Sequence, residues 1–187
     1  MTLNSAMGLY HNVPDFTPIG SETYLLLLGI LLAARGADFL STWIATPQLM
    51  LEGNPIAKAL GWRWGLVLNL LVCVLIAMWP LAAIVVSTTS ALVAARNFQV
   101  AWLMRSLGED NYREWHVDRL LEVHPVLYLF CLIAQTGLVA AVGFALIVTT
   151  NELVPQAIGI GIIAYAIAVL IFTLMAVWRV HRMHYGK

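Results

Sequence analysis

Charge is what this chain has least of. Asp, Glu, Lys and Arg make up 11% of its 187 residues, about half the share of a typical soluble domain. Ten basic residues balance ten acidic ones. There is therefore no global field and no basic stripe with interleaved aromatics, which sets nucleic acid aside as a partner. Lys and Arg are absent from residues 1–23; a cleavable signal peptide needs a basic leading region, so none is expected. The two cysteines, Cys73 and Cys131, both fall in apolar stretches, read as small packing residues, and say nothing about redox compartment. Also missing are a Gly-x-Ser-x-Gly elbow, a His-Glu-x-x-His pair, a phosphate-binding glycine loop and a haem-type Cys-x-x-Cys-His. No catalytic residue, metal site or cofactor is predicted.

What is present is apolar: 61% of residues are hydrophobic and the mean hydropathy is +0.84. This composition predicts an all-α membrane protein whose first partner is the lipid bilayer. The expected architecture is a four-transmembrane-helix bundle with spans near 24–46, 64–86, 125–149 and 156–178. A polar arm at 1–23, containing His11, Pro14, Pro18 and Gly20, precedes it, and a basic tail at 179–187 with Arg179, Arg182 and Lys187 follows.

The second span is awkward. From Trp64 to Ala95 the chain is apolar for 32 residues, roughly 48 Å as a helix against a core of roughly 30 Å. The preferred reading is one crossing, kinked near Pro80, that continues as a juxtamembrane amphipathic helix, giving a cytoplasmic helical segment at about 88–123. Arg96, Arg105 and Trp102 would hold that extension at the interface. A tight re-entrant hairpin at Trp79-Pro80 is the less favoured alternative. Upstream, Asn54 as N-cap and Pro55 as first helical residue predict a short helix closing at Gly61.

Residues 108–123 are the truly polar section, and their mixed charges at helical spacing read as a solvated face. His116 and His124 lie eight positions apart, too far along one helix to share a metal. With four crossings, seven Lys and Arg fall on the side of both termini and two, Lys58 and Arg63, on the other. That count predicts both termini cytoplasmic in a plasma (inner) membrane. One local signal disagrees, because the N-terminal arm has no cation while the first loop has two. Three small-residue stripes suit close helix approach: Gly29, Ala33, Ala37, Ser41 and Ala45; Gly137, Ala141 and Ala145; and Gly161, Ala164 and Ala168. Asn69 and Gln135 read as interhelical hydrogen-bond partners.

Charge within the first span is costly, roughly 2.5 to 3.5 kcal/mol per group at a helix centre, so Arg35 and Asp38 demand explanation. Three positions apart they share a face, which Thr42 continues. Asp38 lies roughly 12 Å from Thr46 along the helix. The candidate functional polar cluster is Arg35, Asp38, Thr42, Glu52 and Asn54. On a functional reading, Asp38, Glu52 and Asn54 converge on a water-filled pocket above Arg35, where two carboxylates share a proton, bind a cation or act as acid and base. On a structural reading, Arg35 and Asp38 neutralise each other, Asn54 caps a helix and Glu52 is a wet loop residue. The structural reading is preferred, because buried ion pairs also serve assembly and register.

Asp38-x-x-Ser41-Thr42 followed by Glu52-x-Asn54-Pro55 resembles a family of small bacterial and archaeal multi-pass membrane proteins of unknown function. The resemblance covers about residues 24–86. It implies that Asp38, Thr42, Glu52, Asn54 and Pro55 act as one unit, and it implies no activity. The expected function is a non-enzymatic accessory, assembly or scaffold component, as a homo-oligomer or within a larger membrane complex. The alternatives are a small oligomeric transporter or channel with a polar path at Asp38 and Thr42, and a membrane enzyme on a lipid-type substrate using Asp38 and Glu52.

Overall fold

The computed structural model describes residues 15–52 and 55–185, without the side chains of 55, 56 and 183–185. Asn54, His11, Pro14 and Lys187 lie outside the described residues. Among the latter the regular structure is all helical: α1 (Glu22–Ala45), α2 (Pro55–Ile76), α3 (Pro80–Leu107), α4 (Glu109–Glu122), α5 (Pro125–Thr149) and α6 (Leu153–Tyr185). Five of the six are long and apolar enough to cross a membrane; α4 is not among them.

That count corrects the four-span expectation. The long second run is not one kinked crossing with an interfacial tail. The chain turns at Ala77–Trp79, where Ala77, Met78 and Trp79 each donate an N–H to a carbonyl of α2, and α3 runs as a continuous 28-residue helix. Trp79 is extended (φ −117°, ψ 100°), the conformation that a following proline imposes, and Pro80 then starts the next helix where no N–H is needed. This further candidate span was hard to see because α3 is the least apolar of the five, with Arg96, Asn97 and Arg105 inside it. The expected cytoplasmic segment at 88–123 is thus two pieces, most of α3 and the separate helix α4, parted at Gly108 (φ 80°).

The predicted short helix before Gly61 is present. Gly61 has φ 64° and ψ −173° inside α2, a region open essentially to glycine alone. The break swings Trp62 back onto the α1–α2 loop, where its indole N–H donates to the Pro47 carbonyl at 2.8 Å and its ring meets Phe39 edge-on at 4.9 Å.

α1 and α3 pack along their lengths, α6 lies against α3, and α5 lies against α6; α2 packs only lightly on α1 and α3. One end of the bundle holds the start of α1, the α2–α3 turn and the α5–α6 turn. Thr17, buried, donates its N–H to the Met78 carbonyl at 2.8 Å, and the Tyr24 hydroxyl donates to the Val74 carbonyl at 3.2 Å. An apolar core of Tyr24, Leu27, Leu31, Cys73, Ala77 and Ala83 sits at this end. The other end carries the α1–α2 loop, α4 and the end of α6; we call it the basic end.

Small residues do set the helix contacts, at some of the expected stripe positions and not at others. Gly29 and Gly137 have nothing within 4 Å of a would-be Cβ, and Ala33, Ala141 and Ala145 are exposed. Gln135 and Cys131 also face outward. The far end of the first stripe does face the bundle: Ser41 and Ala45 are buried on α1, as are Ala83, Ser87, Ser90, Ala94 and Ala101 on α3. These α3 residues follow the alternating three- and four-residue spacing of a packed helical seam. α5 and α6 touch through Gly143 and Gly159, where a Cβ on either would stand 2.6 Å from the other's carbonyl oxygen. Gly161, as expected, is a contact point: its Cβ would lie 2.7 Å from that of Thr88 on α3.

Candidate functional site

The polar residues of α1 meet those of α2 and α3 in the middle of the bundle. Arg35 pairs with Asp38 at 3.1 Å. The same guanidinium donates to Ser90 Oγ on α3 at 3.3 Å, and through Nε to Asn69 Oδ1 on α2 at 2.9 Å, with Nη2 on that same oxygen. Asn69 is held in turn by donating its amide to the Gly65 carbonyl one turn back, at 2.8 Å. The guanidinium fork suits this task, since its donors radiate in one plane and a lysine would reach only as a point charge.

One to two turns along, Asn97 of α3 donates to Ser41 Oγ and Thr42 Oγ1, each at 3.3 Å. Ser41 itself donates to the Asp38 carbonyl at 2.8 Å. The predicted Arg35, Asp38 and Thr42 are therefore joined in one network, together with Asn69, which was expected to bond between helices. Ser90 and Asn97 were not anticipated. Their signal was the seam itself, since Ala83, Ser90 and Asn97 are seven residues apart on α3.

Beside this network lies a cavity of ≈ 690 Å³. Arg35, Asp38, Thr42 and Glu52 all line it, so the predicted set apart from Asn54 faces one space. Contributions from the other half of the chain come from Arg96 on α3, His116 on α4, Tyr128 on α5 and Tyr165 on α6. The cavity walls are otherwise mainly aliphatic and aromatic.

A second polar feature closes the basic end. Glu109, expected as part of a solvated face, accepts from Thr46 Oγ1 at 2.5 Å, the Gln48 N–H at 2.8 Å and the Met50 N–H at 3.0 Å. Partial burial alone would raise the pKa of this carboxyl, but those three donors and the nearby Arg105 outweigh it and hold the group below the usual carboxylate range. The α1–α2 loop, and Glu52 within it, is thereby fastened to the start of α4.

No protein-family model matches the chain, and neither does any curated protein or solved structure.

Proposed function

We propose that the chain is a non-enzymatic component of the plasma (inner) membrane, an accessory, assembly or scaffold protein that works through its fold, as a homo-oligomer or in a larger complex. The observation that carries this is the use made of Arg35. Its donors are directed at Asp38, Asn69 and Ser90 on three different helices, so the intramembrane charge acts as a pin that fixes how α1, α2 and α3 sit together. Purification in mild detergent and native electrophoresis test the reading. Migration well above the 20.6 kDa chain, after allowance for detergent, supports it; a monodisperse monomer from native membranes refutes it.

The threading that accompanies this proposal has the N-terminus outside and the C-terminus in the cytoplasm, replacing the sequence-based placement of both termini inside. Its support is the distribution of charge over five crossings. Among the described residues Lys58, Arg63, Arg105, Arg113, Arg119, Arg179 and Arg182 all belong to the basic end, and the opposite end carries no Lys or Arg. A bias this complete supports a cytoplasmic position for the basic end. The cation-free arm and the two cations of the first loop, at odds in a four-span threading, now agree.

The cavity favours a second reading, a transporter or channel with its polar path at Asp38 and Thr42. Ion or proton flux into liposomes, abolished by Asp38→Asn, supports that reading, and absence of flux under imposed gradients removes it.

A further inference from the structure

The cavity contains a cation that the polar network does not use. Arg96 is half-buried on α3 and lines the space. Among the described residues it forms neither an ion pair nor a hydrogen bond. Its depth matters. Trp102, 70% exposed and six residues further along α3, belongs with the exposed Trp43, Trp64 and Trp178 at the basic end of the other crossing helices, the positions of an interfacial aromatic belt. Arg96 thus lies roughly 9 Å below that belt, at the depth where a long basic side chain reaches for a headgroup phosphate.

The surroundings suit the rest of such a molecule. Among the described residues α2 and α6 do not pack on each other, and both line the cavity, so the space is open laterally between two crossing helices. Its wall there is Leu68 and Val72 from α2 and Val169 and Phe172 from α6. Tyr128 and Tyr165 add hydroxyl donors to the lining. Of the other charges that face the space, Asp38 is paired with Arg35, and Glu52 is on the α1–α2 loop at the basic end. The volume of ≈ 690 Å³ falls within the roughly 300–1,000 Å³ of sites that enclose small amphiphilic ligands.

We propose that this groove is a binding site for an anionic phospholipid of the cytoplasmic leaflet, with the phosphate on Arg96 and an acyl chain between α2 and α6. Lateral opening and aliphatic walls select the lipid over a free phosphate, which would gain nothing from them. The proposal is independent of the accessory role, since it assigns a ligand to the groove whatever the protein assembles with; only its choice of leaflet rests on the threading proposed above.

Native mass spectrometry of the purified full chain, delipidated and then offered equal amounts of phosphatidylglycerol and phosphatidylcholine, tests it. The expected result is one retained phosphatidylglycerol with a preference of about fivefold or more, as one Arg near the membrane surface supplies. Arg96→Gln should abolish the preference, Arg96→Lys should keep part of it, and Arg182→Gln near the end of α6 should leave it intact. Equal retention of the two lipids by the wild-type chain, which needs no variant to fold, overturns the proposal. So does an unchanged preference in Arg96→Gln, or displacement of the lipid by millimolar inorganic phosphate.

Discussion

Replacing Arg35 by Met removes its ion pair with Asp38 at 3.1 Å and its hydrogen bonds to Asn69 and Ser90, and leaves a carboxylate without its counterion inside the bundle. Breaking one side of a buried pair costs roughly 3–5 kcal/mol. Here both side chains border the cavity, 30% and 19% exposed, so the low end, about 3 kcal/mol, is expected. Asp38→Asn leaves Arg35 its partners on α2 and α3, and should cost about 1–2 kcal/mol, the scale of interhelical hydrogen bonds in membranes. The double variant no longer has a lone charge of either sign and should lose about 2 kcal/mol, less than the singles added together. Thermal unfolding in detergent reads these differences at about 2–4 °C per kcal/mol for a chain of this size. The reasoning fails if the two single losses simply add to within about 0.5 kcal/mol. It also fails if Asp38→Asn is as stable as the wild type or more so, because Asp38 would then be a charge kept for activity at the expense of stability.

At the α5–α6 contact, Gly159→Ala places a Cβ 2.6 Å from the Gly143 carbonyl oxygen and should destabilise by roughly 1–3 kcal/mol through overpacking, whereas Gly137→Ala, with open space around it, should change the same unfolding measurement by less than about 0.5 kcal/mol. Ser87 Oγ is buried without a hydrogen-bond partner among the described residues, so Ser87→Ala should be neutral or stabilising in thermal melts. The depressed pKa of Glu109 fixes a sign for pH: the carboxylate stabilises the α1–α2 loop at any pH above its unfolded value, and that contribution is lost as pH falls through the lower folded value. Hydrogen exchange at the Gln48 and Met50 amides should therefore accelerate in acid, after correction for intrinsic rates, and Glu109→Gln should make it fast at neutral pH. Labelling of single engineered cysteines with an impermeant reagent in intact cells should modify a site in residues 15–21 and spare one in α4; the reverse pattern refutes the threading.

Helix content and the site's core were legible because each rests on a local and costly signal. An Arg and an Asp three apart in an apolar run have few arrangements open to them, and Gly61 announced its break through composition alone. The third candidate span was obscured by the residues that make α3 a partner for α1. Ser87, Ser90 and Asn97 lower its hydropathy while fitting the seam, and a criterion of apolarity reads them as the end of a span. The small-residue stripes show the converse. Four-residue spacing marks where a helix permits close approach, and whether a neighbour comes there depends on the other helices; Gly29 and Gly137 permit it and receive none. Glu109 is a third case, since its acceptors serve amides more than fifty residues away in sequence.

The two turns at the cation-free end bear on how such a chain enters a membrane. The α2–α3 turn is Ala77, Met78 and Trp79, without a charge, and the α5–α6 turn is Thr150, Asn151 and Glu152, with one. In the proposed threading these six residues are all of the interhelical chain that must be carried across the bilayer, and desolvating them costs little beside a basic loop. Each pair of helices is therefore suited to enter as a hairpin from the cytoplasmic side, while the basic residues stay where they were synthesised. In the same threading residues 1–23 cross as well, and their lack of Lys and Arg lowers the cost of that step.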